Sequence, residues 1–286
     1  MDQWSKEWAM REDRPYTRPQ GSSSPWWAFA LGVALLGGGA ALYYSWPRGE
    51  APAPIRPAAP AVEQPAPQAS AEPGIRHPLE TPSAEASKGL PSLENSDSMM
   101  RDALTSLLGA KSFAELVYPA ELVRRIVATV DNLPRKTAPS RMLPWQPVPG
   151  GFVTLGEGDQ AVIAARNAAR YEPYVRVVQG IDTRALVRRY IDSYPLFQQA
   201  YEQLGYPNQY FNDRLIEAID DLLAAPEPPM APKLEQPKVR YTFADPELES
   251  LSAGQKIMVR VGRENEAKLK AKLREVRAEL LAARPR

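Results

Sequence analysis

The sequence predicts a mainly α-helical protein carried on a single membrane-spanning helix, and three observations predict it. Residues 26–46, WWAFALGVALLGGGAALYYSW, hold no charge and end in aromatics on both sides. Residues 47–90 are rich in Pro, Ala, Glu, Gln and Ser and poor in large apolar side chains. Beyond them apolar residues recur mostly at helical spacing, with capping residues before the runs and Gly or Pro after them. The expected organisation is a short cytoplasmic tail (1–25), a transmembrane helix (26–46), a disordered linker (47–90) and a helical domain (91–286) with at most one two-stranded ribbon.

About 20 apolar residues rising 1.5 Å each cover the ~30 Å hydrocarbon core of a bilayer, and Trp and Tyr favour its headgroup level. The apolar stretch follows a polar tail and ends in Tyr43, Tyr44 and Trp46 rather than a small-residue cleavage site, which fits a retained anchor and not a cleaved signal peptide. Lys6, Arg11, Arg14 and Arg18 precede it, against Arg48 and Arg56 after it. The positive-inside rule then leaves the N-terminus in the cytoplasm and the chain from Pro47 onward outside the inner membrane. A chain without cysteine is compatible with that oxidising side. Ala30, Ala34 and Gly38 recur every fourth residue and form a smooth ridge, through which two anchors can pack into a homodimer.

The linker cannot offset its ordering entropy with a core and is expected to be extended, with an upper reach on the order of 140 Å at about 3.1 Å per residue. In the domain, Ser96 is placed to cap a helix through Leu104 and Leu108 that Gly109 ends. Pro119 is expected in the first turn of the next, whose Leu122, Val123, Ile126, Val127 and Val130 keep helical spacing until Pro134. RKTAPSRMLPWQPVPGG reads as loop. Phe152–Leu155 and the alternating Val239, Tyr241 and Phe243 are strand candidates that would pair with each other. Asp182 is an N-cap for a helix that meets Pro195 and stops at Gly205, either kinked or restarted at the proline. Asp213 to Ala225 is amphipathic, with Leu215, Ile216, Ile219, Leu222 and Leu223 opposite Asp213, Glu217, Asp220 and Asp221. Asp245-Pro246-Glu247 starts a further helix, Gly262 breaks it, and RENEAKLKAKLREVRAELLA forms the last.

The chemistry this chain can perform is narrow. Its one histidine, His77, lies in the linker and it has no cysteine, so the domain cannot build a Ser/His/Asp or Cys/His nucleophile or an ordinary zinc site. Neither GxxxxGK[ST] nor GxGxxG occurs, and LGEGD at Leu155–Asp159 reads as a turn. A formal charge of +1 supplies no field for nucleic acid. No catalytic residue, metal or cofactor is assigned. The acidic stripe from Asp213 to Asp221 reads as a solvated helix face rather than a cation site. Tyr190, Tyr194, Phe197 and Tyr201 form a stripe that reads as core, with a platform for a sugar or peptide as the sharper alternative. Two loop-rich stretches supply binding candidates because they mix cations, amides and aromatics. RNAARYEPY contributes Arg166, Asn167, Arg170 and Tyr171, and GYPNQYFNDR contributes Tyr206, Asn208, Tyr210, Asn212 and Asp213. The leucine seam of the last helix reads as packed on its own domain, with a short helix-pair interface as the alternative.

The strings DNLPR (131–135), ARYEPY (169–174), YPLFQQAYEQLGYPNQYFNDRL (194–215) and YTFADPELESLSAGQKIMVRVG (241–262), with the anchor and tether, resemble a proteobacterial family, domain of unknown function 3014. The resemblance covers the folded domain and implies a Gram-negative envelope location and one domain. It brings no activity and no catalytic residue. The expected role is an inner-membrane-anchored periplasmic adaptor or scaffold that binds another envelope protein. The alternative is a domain that binds peptidoglycan or another glycan, or cuts the cell wall with a carboxylate such as Glu202 or Asp213.

Overall fold

Asp97, the first residue of α1 (Asp97–Leu108), turns its carboxylate out of its own helix and accepts hydrogen bonds from the Glu121 and Leu122 amides at 2.8 and 2.9 Å. It thereby caps α3 (Leu122–Asn132) from a distance. Glu121, with φ 54°, is the one non-glycine residue in the left-handed region among the described residues. The start expected at Pro119 thus falls three residues later. The computed structural model describes residues 74–79, 89–237 and 239–283. The expected anchor and its Ala30, Ala34 and Gly38 ridge lie outside them, as does most of the linker. Among the described residues no helix is long and apolar enough to cross a membrane.

Ser96 precedes α1, but its hydroxyl donates back to the Leu93 carbonyl at 2.8 Å instead of capping the helix. Gly109 ends α1 at φ 82° and α2 (Ala110–Leu116) begins immediately, burying Phe113 and Leu116. Asp182 caps α5 (Thr183–Gln203) as expected, its Oδ1 accepting the Ala185 amide at 2.8 Å, and the helix runs through Pro195 as one element to Leu204 and Gly205. It follows α4 (Arg166–Gly180). The N-terminus of α6 (Phe211–Leu223) is capped by Gln198 of α5, whose Oε1 accepts the Phe211 amide at 2.9 Å. Neither Asn208 nor Asn212 performs that role.

Asp245 caps the short α7 (Pro246–Ser250). The single helix expected up to Gly262 is then interrupted, because Ser252 and Gln255 form a capping box that starts α8 (Ala253–Val261). Gly262, at φ 90°, hands over to α9 (Arg263–Ala282).

The ribbon expected between Phe152–Leu155 and Val239–Phe243 does not form. Instead β1 (Thr154–Leu155) pairs antiparallel with β2 (Val162–Ile163), and β3 (Leu234–Glu235) with β4 (Thr242–Phe243). Local closure wins: the LGEGD turn folds β1 back on its neighbour, with Gly156 at φ 78° and space for no Cβ, which would lie 2.5 Å from the Gln160 carbonyl oxygen. Val239 is exposed.

One apolar core joins the helices. α9 packs on α4, α5 and α6, and α3 packs on α5 and α6. Leu269, Leu273, Val276 and Leu280 are all buried against the domain, so the seam of the last helix is intramolecular core. The aromatic stripe is core as well. Phe197 and Phe211 stack at 5.7 Å and Tyr201 and Tyr206 at 4.6 Å between ring centroids. The half-buried tyrosines find partners for their hydroxyls, Tyr190 on Asn212 (3.2 Å) and Tyr194 on Gln198 (3.0 Å).

Candidate functional site

Asp131 falls in register with Val123 and Val127 on the inward side of α3, and its side chain is only 5% exposed. A carboxylate so placed needs cations, and two guanidiniums supply them. Arg214 of α6 donates through Nε to Oδ1 at 3.1 Å and through Nη2 to the Asp131 carbonyl. Arg135, one turn on, places Nη2 3.0 and 3.1 Å from the two carboxylate oxygens and also donates to the Tyr206 hydroxyl. Tyr206 in turn donates to Asp131 Oδ2 at 3.4 Å, and Arg214 Nη1 pairs with Glu217 at 2.7 Å.

These groups line a polar cleft of about 370 Å³, completed by Tyr201, Gln209, Tyr210 and Asp213, with Gly74 and Arg76 of the linker segment on its wall. Burial pushes the Tyr201 hydroxyl up to about 12. Beneath the cleft the start of α8 is fastened to the end of α3. Ala253 donates its amide to the Arg135 carbonyl at 2.6 Å and Gly254 to the Leu133 carbonyl at 2.9 Å. Three of the four segments that carry the family resemblance therefore meet here.

The linker is not all featureless spacer. Gly74–Leu79 runs along the rim, where the Asp213 carboxylate accepts the Arg76 amide at 3.0 Å and the His77 amide at 2.7 Å. Asn212 Nδ2 donates to the His77 carbonyl at 2.7 Å. The reading of the acidic stripe as a solvated face holds for Glu217 and Asp220, which are exposed, and is corrected for Asp213 and Asp221. Asp213 is buried under the segment, Asp220 pairs with Arg277 at 2.5 Å, and Asp221 accepts the Ser252 hydroxyl at 2.6 Å. Burial raises the Asp221 carboxyl above its usual range, the serine opposing.

The predicted binding residues separate into two places. Tyr206, Tyr210 and Asp213 line the cleft and Asn212 stands on its rim, while Asn208 is exposed beside it. Arg166, Asn167, Arg170 and Tyr171 line none of it. Asn167 is fully buried and spends its amide on the Val153 amide and on the Val153 and Ala164 carbonyls. Arg170 donates to the Pro149 and Gly150 carbonyls at 3.0 and 2.7 Å, which fastens the preceding loop to α4. Burial raises the Tyr171 hydroxyl. Glu202 accepts from Gln198 at 2.9 Å. Asp131, Arg135, Arg214 and Arg76 were not singled out by the sequence, and Glu217 only as part of the solvated acidic face. The one available signal was a charge in phase with the apolar stripe of α3.

A second pocket, about 160 Å³, lies among α1, α3, α5, α6 and α9. Leu104, Leu107, Leu186 and Val276 make its wall largely apolar. The cleft, with convergent charges, is the better candidate. Among the described residues no cluster of His, Asp and Glu is arranged to hold a metal ion.

No curated protein and no solved structure matches the chain. A family model described as protein of unknown function, DUF3014, matches residues 122–277. That span begins with α3 and runs into α9, taking in the cleft's walls apart from Gly74 and Arg76, and the chain belongs to the DUF3014 family.

Proposed function

We propose that this protein is a membrane-tethered adaptor whose periplasmic helical domain binds another envelope protein through the Asp131 cleft. The observation that carries the reading is the rim's hold on Gly74–Leu79, a stretch of peptide bound through its main chain. A surface that binds one main-chain segment in this way has the geometry to bind others. Half-exposed Arg135 and the Tyr206 and Tyr210 rings beside it are residue types that dominate protein interfaces. The uncharged residues 26–46 and the positive bias before them support the inner-membrane anchor and its orientation. The hydrolase alternative has less support, since Asp213 is engaged by two amides and Glu202 by Gln198.

Affinity capture of the full chain from detergent-solubilised membranes tests the reading. A stoichiometric envelope partner is expected, and it should be lost with Arg135→Glu and with Tyr210→Ala. A partner indifferent to both substitutions, or none at all, would refute it.

A further inference from the structure

Resting on the adaptor reading, we propose that the Asn212–Asp213 rim is a binding site for a bent cationic peptide read through its main chain. Gly74–Leu79 is its cis occupant, which a second peptide of the same kind displaces.

The contacts define what is recognised. Asp213 accepts two successive amides, from Arg76 and His77, and Asn212 donates to the carbonyl of His77. The Tyr190 hydroxyl donates to Asn212 Oδ1 at 3.2 Å, which turns the Asn212 amide so that its NH2 faces the segment. All three bonds go to backbone, and two successive amides can reach one carboxylate only where the chain bends, as it does at Arg76 and His77, so they fix a bent conformation more than a side-chain sequence. Pro78 follows with no amide to satisfy, and main-chain recognition ends there at no cost. The α6 N-terminus does not need these side chains for itself, because Gln198 already accepts the Phe211 amide.

Charge selects the cation. The domain's own walls of the cleft carry Asp131, Asp213 and Glu217 against Arg135 and Arg214. The third cation arrives with the segment as Arg76, whose guanidinium lies 3.9 Å from Asp213 and is otherwise exposed. An arriving peptide with a basic residue at that place restores the same balance.

The cis occupant has the advantage of connection. Nine residues, 80–88, join Leu79 to Gly89, so the segment is presented to the rim at an effective concentration of roughly millimolar or above. A peptide arriving from outside must exceed that to bind, which makes the rim responsive only to a partner held nearby or presenting several sites.

The test uses the full chain in detergent micelles and a labelled, end-blocked peptide GIRHPL (residues 74–79), in which Arg76 is the one fixed charge, followed by fluorescence polarisation. Arg76→Pro with His77→Pro removes both donated amides and opens the rim. The opened chain is expected to bind the peptide at least about 10-fold more tightly than the parent, and Asp213→Ala with Asn212→Ala added to it should weaken that binding at least about 10-fold. No binding to the opened chain, equal affinity of opened and parent chains, or binding indifferent to Asn212 and Asp213 would each overturn the proposal. Hydrogen exchange on the unsubstituted chain stands independent of any folding defect. The Arg76 and His77 amides should exchange at least about 10-fold slower than in an unstructured peptide, and unstructured rates would overturn it. Peptide binding without a captured envelope partner supports the rim site and removes the adaptor role. Partner capture without peptide binding does the reverse.

Discussion

Replacing Asp131 by alanine leaves Arg214 with a guanidinium whose side chain is 13% exposed and whose main carboxylate is gone. Breaking a buried ion pair from one side costs roughly 3–5 kcal/mol, because the survivor stays desolvated. Two features of the site reduce that here. Arg214 keeps Glu217 at 2.7 Å, and Arg135, 46% exposed, can turn to water. The expected loss is therefore about 2–4 kcal/mol, which for a domain of this size lowers Tm by roughly 6–12 °C at the middle of that range. Thermal unfolding followed by circular dichroism, with urea titration to check the slope, measures it. The companion variant, Asp131→Leu with Arg214→Met, removes both charges at similar volume and should recover more than about 1 kcal/mol of the loss. A loss below about 1 kcal/mol for Asp131→Ala, or a double variant no better than the sum of its parts, would refute the view that this pair is a desolvated electrostatic unit.

Two further outcomes test the frame around the cleft. Gly254→Ala places a Cβ 2.8 Å from Leu222 Cδ2 and 3.2 Å from the Leu133 carbonyl oxygen, so it should cost roughly 1–3 kcal/mol in a urea titration; an unchanged midpoint would mean that α8 is not wedged against α3 and α6 as described. Tyr194 and Tyr201 are both pushed up to about 12 by burial, from an ordinary 10.0, so the folded protein holds their protons where the unfolded chain releases them. Stability should then be unaffected by these groups below pH 10 and fall between pH 10 and about 12, and ultraviolet titration should show at least about two phenols fewer ionised at pH 11 in the folded state than after unfolding, since burial raises Tyr190 and Tyr171 as well.

What the sequence made legible was local. Asp182, Asp245, Gly205 and Gly262 act within a turn of their own positions, and each behaves as its residue type requires. What it hid was supplied from elsewhere in the chain. Asp97 caps a helix 25 residues away, Gln198 caps α6, and both take roles that a local reading gives to Pro119 or Asn212. A helical wheel sorts Asp213 and Asp221 to the polar side of α6, but it cannot report that the linker segment and Ser252 cover that side. The strand candidates fail for a related reason, since alternation marks a strand without naming its partner. The cleft was half legible. Its aromatic and amide rim stood out in GYPNQYFNDR, whereas Asp131 looked like the end of an ordinary amphipathic helix and Gly74–Leu79 looked like more of a Pro-rich tether.

The hold on Gly74–Leu79 also changes where the leash is tied. A chain released at Gly89 swings from the start of α1, whereas one pinned at Arg76 and His77 pulls on the mouth of the cleft. The stretch left to pay out between the proposed anchor and the pin is residues 47–73, about 27 residues, which spans at most roughly 95 Å. If residues 26–46 are the proposed anchor, pinning would shorten the working radius and set the mouth of the cleft on the side from which the chain is held. Release would move the point of attachment to Gly89 and free the cleft's mouth from that pull.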